Sequence, residues 1–177
     1  MTFRIRHAFL IPLGLLCLEV LALLASCLWF DEPLAKSLIL GFMILPVLVL
    51  FAESLLRQAR FDDETIEVRK LLRRKRLRFA DITAVESILI KKRAFITLCA
   101  GDDDYLILSN AYADFPRLVR LLLARVPASS ISAEATALAA DPPSKSSDIV
   151  SCWLAALLLG FILYAQLKSH LGAALPL

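Results

Sequence analysis

Charge is missing from long stretches of this 177-residue sequence, and the motifs of enzyme chemistry are missing from all of it. There is no GxSxG, HExxH, paired CxxC or phosphate-binding glycine loop. Nucleophilic hydrolysis, zinc hydrolysis and nucleotide chemistry therefore lack the side chains and turns they require. Histidine occurs twice and cysteine four times. Cys17, Cys27 and Cys152 lie in apolar stretches and Cys99 in an apparent strand, and no two stand at metal or redox spacing. His7 and His170 fall at the ends of two apolar stretches, on opposite sides if both stretches cross a membrane. We expect no catalytic residue, no metal site and no cofactor. No repeat of fixed period is present.

What the chain has in excess is apolar residues, 59% of the sequence with a mean hydropathy of +0.71, against roughly 45–50% in soluble domains. The excess is concentrated. Residues 8–30 carry one charge, Glu19, while 38–52 and 149–165 carry none. Crossing ~30 Å of hydrocarbon takes about 20 apolar residues. The sequence thus predicts three transmembrane helices, over about 8–30, 34–56 and 149–167. The expected division is an N-terminal transmembrane hairpin (1–57), a soluble domain (58–127), a linker (128–148) and a C-terminal transmembrane helix with a short tail (149–177). The linker is rich in Ala, Ser and Pro and reads as flexible, with room for a short helix at 133–140.

Arg4, Arg6 and His7 precede the first span, Arg57 and Arg60 follow the second, and the loop between the spans is acidic. The positive-inside rule places the N-terminus and the soluble domain in the cytoplasm and the C-terminus outside. "LASC" (24–27) also fits a lipoprotein cleavage box that would end at Cys27. Glu19 is a poor residue for a signal core, however, and a second span begins seven residues after Cys27.

After Arg60 the apolar period changes to two. Strands are predicted at "TIEVR" (65–69), "RLRF" (76–79), "DITAVESILI" (81–90), "AFITLC" (94–99) and "DYLILS" (104–109). "GDDD" (101–104) has turn chemistry; its aspartates read as a solvated turn, since the further ligands of a calcium loop are absent. A helix follows, with Asp114 as candidate N-cap, Pro116 in its first turn and Pro127 at its end. Its stripe is Phe115, Leu118, Val119, Leu122 and Val126.

Five antiparallel strands followed by one amphipathic helix is the element order of a pleckstrin-homology-like (PH-like) domain. In "FDDETIEVR", the basic turn after it, "LRFADITAVES" and "LILSNAYADFPRLVRLLLARV", the chain resembles the bacterial PH-like membrane proteins. These commonly place a transmembrane hairpin before the domain. The resemblance covers 60–126. It implies a small α+β domain, an antiparallel sheet or partial barrel with one C-terminal helix, attached to membrane helices. It also implies a bacterial inner (cytoplasmic) membrane, and a lipid-binding or protein-binding adaptor in place of an enzyme. The chain departs from the pattern in showing five strands where a full PH domain has seven, and in its third span.

"RKLLRRKRLR" (69–78) holds seven basic residues in ten. If Ile66 pairs with Phe79 and Val68 with Leu77, the hairpin turns through Leu71–Arg74. Glu67 then faces Arg78, and Arg69 faces Arg76. Arg69, Arg74, Arg76 and Arg78 project outward or from the turn. A solvated edge obeying the positive-inside rule, anionic lipid head groups and an acidic protein partner all fit such a run. Nucleic acid does not, because the run lacks interleaved aromatics and is tethered to a membrane.

Glu19 falls near the middle of the first span, where an acid is costly and calls for a partner or a role. Pro46 frees the carbonyl of Phe42, which a protonated Glu19 can reach in a hairpin; contact with another subunit or a proton-coupled role are the other readings. Glu53 and Arg57 are spaced for an i,i+4 ion pair. The partners implied are the membrane, its anionic head groups, and a membrane protein or second copy of the chain. The expectation is a non-catalytic adaptor or accessory subunit. The alternative is a small transport or signalling component in which Glu19 is functional and the domain regulatory.

Overall fold

The computed structural model describes residues 1–101, 104–143 and 147–174. Asp102 and Asp103 of the aspartate turn, Ser144 and Ser146 of the linker and the last three residues of the tail lie outside the described residues. The chain forms two units, Met1–Arg6 with Leu55–Ser146, and His7–Ser54 with Ser147–Leu177.

The second unit holds three long helices, α1 (His7–Trp29), α2 (Leu34–Leu56, whose last residues belong to the first unit) and α5 (Ser147–Ala174). All three are long and apolar enough to cross a membrane, with mean hydropathies of 2.5, 2.4 and 2.0 over their best windows. Most of their large apolar side chains face outward, including Leu18, Phe42 and Leu158. Helices that are apolar all round suit a solvent that is itself apolar.

The first unit is a β domain of two antiparallel sheets. The four-stranded sheet runs in the order β1 (Thr2–Arg4), β2 (Gln58–Phe61), β3 (Thr65–Arg69), β4 (Arg74–Arg78). The three-stranded sheet follows in the order β5 (Ala84–Ile90), β6 (Arg93–Ala100), β7 (Asp104–Ser109). Five strands lie where the pattern of period two predicts them. β1 and β2 are additional, and β1 lies on the far side of two helices in the sequence, so α1 and α2 are inserted between neighbouring strands. Phe3, Ala59, Phe61, Ile66, Val68 and Leu77 are buried from the first sheet, and Val85, Ile96, Leu98, Leu106 and Leu108 from the second.

Helix α3 (Phe115–Leu123) buries every member of its predicted stripe, Phe115, Leu118, Val119, Leu122 and, just beyond it, Val126. Asp114 occupies the N-cap, in a left-handed conformation at φ 51°, but its side chain makes no capping bond. Its carbonyl instead accepts from Arg117 and Leu118 at 3.0 Å. Behind α3, Arg125 donates to the Asp62 carbonyl and lies 5.8 Å from the centre of the Phe79 ring, tying this end to the β2–β3 turn.

The segment that composition marks as a linker is in large part packed. Ile131 bridges Val85 of β5, and α4 (Ala133–Ala140) is capped by the Ser132 hydroxyl, which accepts from Ala135 at 3.1 Å. Ala135 and Leu138 are buried. Two apolar anchors hold a stretch whose small residues look uncommitted.

Candidate functional site

The β3–β4 hairpin sets the basic run. Its register pairs Ile66 with Leu77, Glu67 with Arg76, Val68 with Lys75 and Arg69 with Arg74. This corrects the expected pairing of Ile66 with Phe79 by two residues. A shift of two keeps every side chain on its face, so alternation alone does not distinguish the registers; the turn does. The turn is Lys70–Arg73, closed by the Lys70 amide on the Arg73 carbonyl at 2.8 Å. Phe79 leaves the strand and opens a short 3-10 turn, Phe79–Asp81. The like-charged pair directly opposed is thus Arg69 with Arg74, not Arg69 with Arg76.

Cross-strand pairing carries the same face over the whole sheet. One row reads Arg4, Gln58, Arg69, Arg74, and the next Thr2, Arg60, Glu67, Arg76, with Arg78 beside Thr65. Arg4, Arg60, Arg69, Arg74, Arg76 and Arg78 are therefore all on the face opposite the core, and all are exposed. The four arginines predicted from the run come together there. Arg4 and Arg60 join them from strands the sequence leaves unmarked, and only the strand pairing reveals them.

Neighbouring acids neutralise part of this charge. Glu67 lies 3.4 Å from Arg74, and Asp62 lies 3.3 Å from Arg60 and 3.9 Å from Arg76. Arg76 also donates Nε to the Thr65 hydroxyl at 3.1 Å. Arg4, Arg69 and Arg78 have no carboxylate partner among the described residues. Lys75 points the other way, to Asp104 at 3.2 Å and over the Tyr105 ring at 4.9 Å, joining β4 to β7. Beside the hairpin an open cleft of about 490 Å³ is lined by Thr65, Arg76 and Arg78 but also by Glu64, Asp81 and Asp104. A simple anion in it would meet three carboxylates. The open arginine face is the stronger candidate.

Glu19 does not bond to the Phe42 carbonyl. Its carboxyl lies against α5 at Gly160, where an added Cβ would stand 3.0 Å from Oε1. Oε2 is buried with no hydrogen-bond partner. Helix α1 meets α2 elsewhere, at Gly14 against Phe51 and at Cys17 near the Val47 carbonyl. Farther along the α1–α5 seam, Gln166 donates to Ser26 at 3.1 Å and the Phe30 and His170 rings stack at 4.2 Å. Glu32, in the loop after α1, pairs with Lys36 at 3.0 Å and with His170 at 3.3 Å. The hydrogen bond from Lys36 holds the Glu32 carboxyl below the usual carboxylate range, with His170 adding to it.

Arg57 turns away from the expected Glu53 pairing. Its Nε reaches the Tyr112 hydroxyl at 3.4 Å, with the guanidinium 5.6 Å from the ring centre. Burial pushes the Tyr112 phenol up, and Arg57 opposes that shift.

Compared with family models, curated proteins and solved structures, the chain matches none of them.

Proposed function

We propose that the chain is a non-catalytic adaptor or accessory subunit of a bacterial inner membrane, holding a small PH-like domain against the cytoplasmic face. Seven strands among the described residues, in sheets of four and three and followed by a helix, support the PH-like reading. The function rests on one observation, the six arginines on the outer face of the four-stranded sheet. Each basic group near an anionic leaflet contributes about 1 kcal/mol. The three without acid partners carry most of the attraction. That is weak binding, and weak binding suffices, because the spans already anchor the domain and the arginine face need only orient it.

The Lys70–Arg73 turn exposes the lysine and arginine side chains after which trypsin cleaves, which supplies the test. In lipid nanodiscs containing the full chain, cleavage there should be slower with anionic than with neutral lipid. The difference should vanish in high salt, where exposed charges are screened within about 8 Å or less. Arg74→Ser with Arg76→Ser should remove much of the protection. Equal cleavage in both lipids would count against lipid contact and leave an acidic protein partner or a solvated face.

A second reading has its own support in the buried, unpartnered oxygen of Glu19, since an intramembrane acid without a partner is a functional candidate. A proton flux through the reconstituted chain that Glu19→Gln abolishes would favour a transport or signalling component. Its absence would leave Glu19 a packing residue.

A further inference from the structure

The β5–β6 hairpin ends in a tight turn, with Ile90 paired to Arg93 and Lys91–Lys92 between them. Just behind that apex the ribbon is apolar and uncovered: Ile88, Leu89 and Ile90 are 53%, 59% and 56% exposed. Successive residues of a strand point to opposite faces. Leu89 therefore lies on the face opposite Ile88 and Ile90, and large apolar side chains stand open on both sides of the ribbon. Ala94, which pairs with Leu89, is buried, as are Val85, Ile96 and Leu98 nearer the core. The exposure is confined to the projecting end.

The tip is held firmly from behind. Asn110, itself buried, donates its side-chain amide to the Lys92 carbonyl at 2.8 Å, and its backbone amide bonds the Ala94 carbonyl at 3.0 Å. Lys91 occupies a left-handed conformation at φ 57°, where glycine or asparagine is more at ease. Cationic side chains thus stand at an apex whose backbone favours other residues. No acid occurs between Ser87 and Gly101.

We propose that this hairpin tip is a second membrane-contact site, seated in the interfacial region of an anionic bilayer. The three aliphatic side chains sit at the boundary of head groups and acyl chains, and Lys91 and Lys92 extend to the phosphates. A protein partner with one flat surface covers one face of a ribbon, whereas a fluid interface surrounds both. Lysine stems are long enough to lie along apolar surface while their ammonium groups stay among head groups. The domain is joined to three candidate spans, which keeps a bilayer close at hand. This site goes beyond the arginine face, since it lies on the other sheet and works by apolar burial as well as charge.

The test uses the full chain in lipid nanodiscs, with Trp29→Phe and Trp153→Phe to clear the background. A single fluorescent probe is introduced by Ile90→Trp or, on the opposite face, by Leu89→Trp; both positions are exposed, so neither change disturbs the core. Brominated lipid should quench most of the emission from both probes, and quenching should survive a salt concentration that abolishes the trypsin protection of the β3–β4 turn. That difference separates failure of this site from failure of the arginine face. Ready quenching by aqueous acrylamide, with none by brominated lipid, would overturn the proposal. So would shielding of one or both probes from both quenchers, which would signal a docked protein or a second copy of the chain.

Discussion

The two units of this chain bury apolar side chains to very different degrees, although both are rich in them. In α2 only Ser37 and Ile44 are buried within the chain, and large apolar side chains such as Phe42 and Leu38 lie open. In the β domain Ile66, Val85, Ile96, Leu98, Leu108, Leu118 and Leu122 are sealed, and arginines line the outer face. If the three long helices cross a membrane, the same residue types meet different solvents. Water drives the β domain to hide them, while hydrocarbon offers no such drive, and span association must rest on packing and on polar contacts between helices.

The units are also interleaved. β1 pairs with β2 across the whole α1–α2 hairpin, so the hairpin is an insertion into a turn of the sheet. If both helices cross a membrane, that pairing requires their domain-proximal ends to lie on one side. It supports the expected placement of the N-terminus with the domain, by an argument independent of charge. It also bears on the lipoprotein box at Cys27. Cleavage there would remove β1, with buried Phe3 and Ile5, from the domain.

The largest expected effect follows from the insertion. A fragment comprising 58–127 lacks β1 and α4, leaving the β2 edge unpaired and the sites of Ile131, Ala135 and Leu138 empty. It should aggregate or fail to protect its amides from exchange. A chain joining Arg6 to Arg57 by a short turn and ending at residue 143 should instead be soluble, monomeric and folded by size exclusion and hydrogen exchange. Equal folding of the two would mean that β1 and the 128–143 segment are passengers.

Next in size is the contrast between two leucines. Leu118 is fully buried in α3, and Leu118→Ala should cost about 2–5 kcal/mol in denaturant unfolding of the β domain. Leu158 is 64% exposed on α5. Leu158→Ala should leave span assembly nearly unchanged, because lipid tails are as apolar as leucine. A large loss at Leu158 would reveal a further helix packed there, within a second copy or a partner.

How much of this could be read beforehand depends on how local the cause is. The long apolar helices and the α3 stripe are set by runs and periods within one segment, and both fall where the pattern puts them. β1 has three residues, too few to show a period, and its partner strand lies beyond two whole helices in the sequence. Arg4 and Arg60 join the basic face only through that pairing. The β3–β4 register missed by two because two registers of equal parity bury the same side chains. Ile131 and Leu138 are lone anchors in a stretch of small residues, a signal below the threshold of composition. Gly160 carries no mark at all of the side chain it accommodates.

The smallest expected effect concerns that glycine. A methyl at Gly160 would meet Glu19 Oε1 at 3.0 Å, and the carboxyl is the end of a flexible side chain. Gly160→Ala should therefore weaken α1–α5 association modestly, by about 1 kcal/mol or less; a bulkier Gly160→Leu should do more. Glu19→Ala removes the unpartnered oxygen and opens space, so by itself it should not weaken association. The two changes should couple: Gly160→Ala should be neutral in the Glu19→Ala background and modestly weakening without it. Contacting residues typically show such interaction energies in a double-mutant cycle, whereas distant ones add independently. Association of the spans, followed by energy transfer between labels on α1 and α5 in detergent, provides the measurement. Additive effects would mean that Glu19 points elsewhere in the membrane, toward α2 or another chain, and would reopen the expected bond to the Phe42 carbonyl.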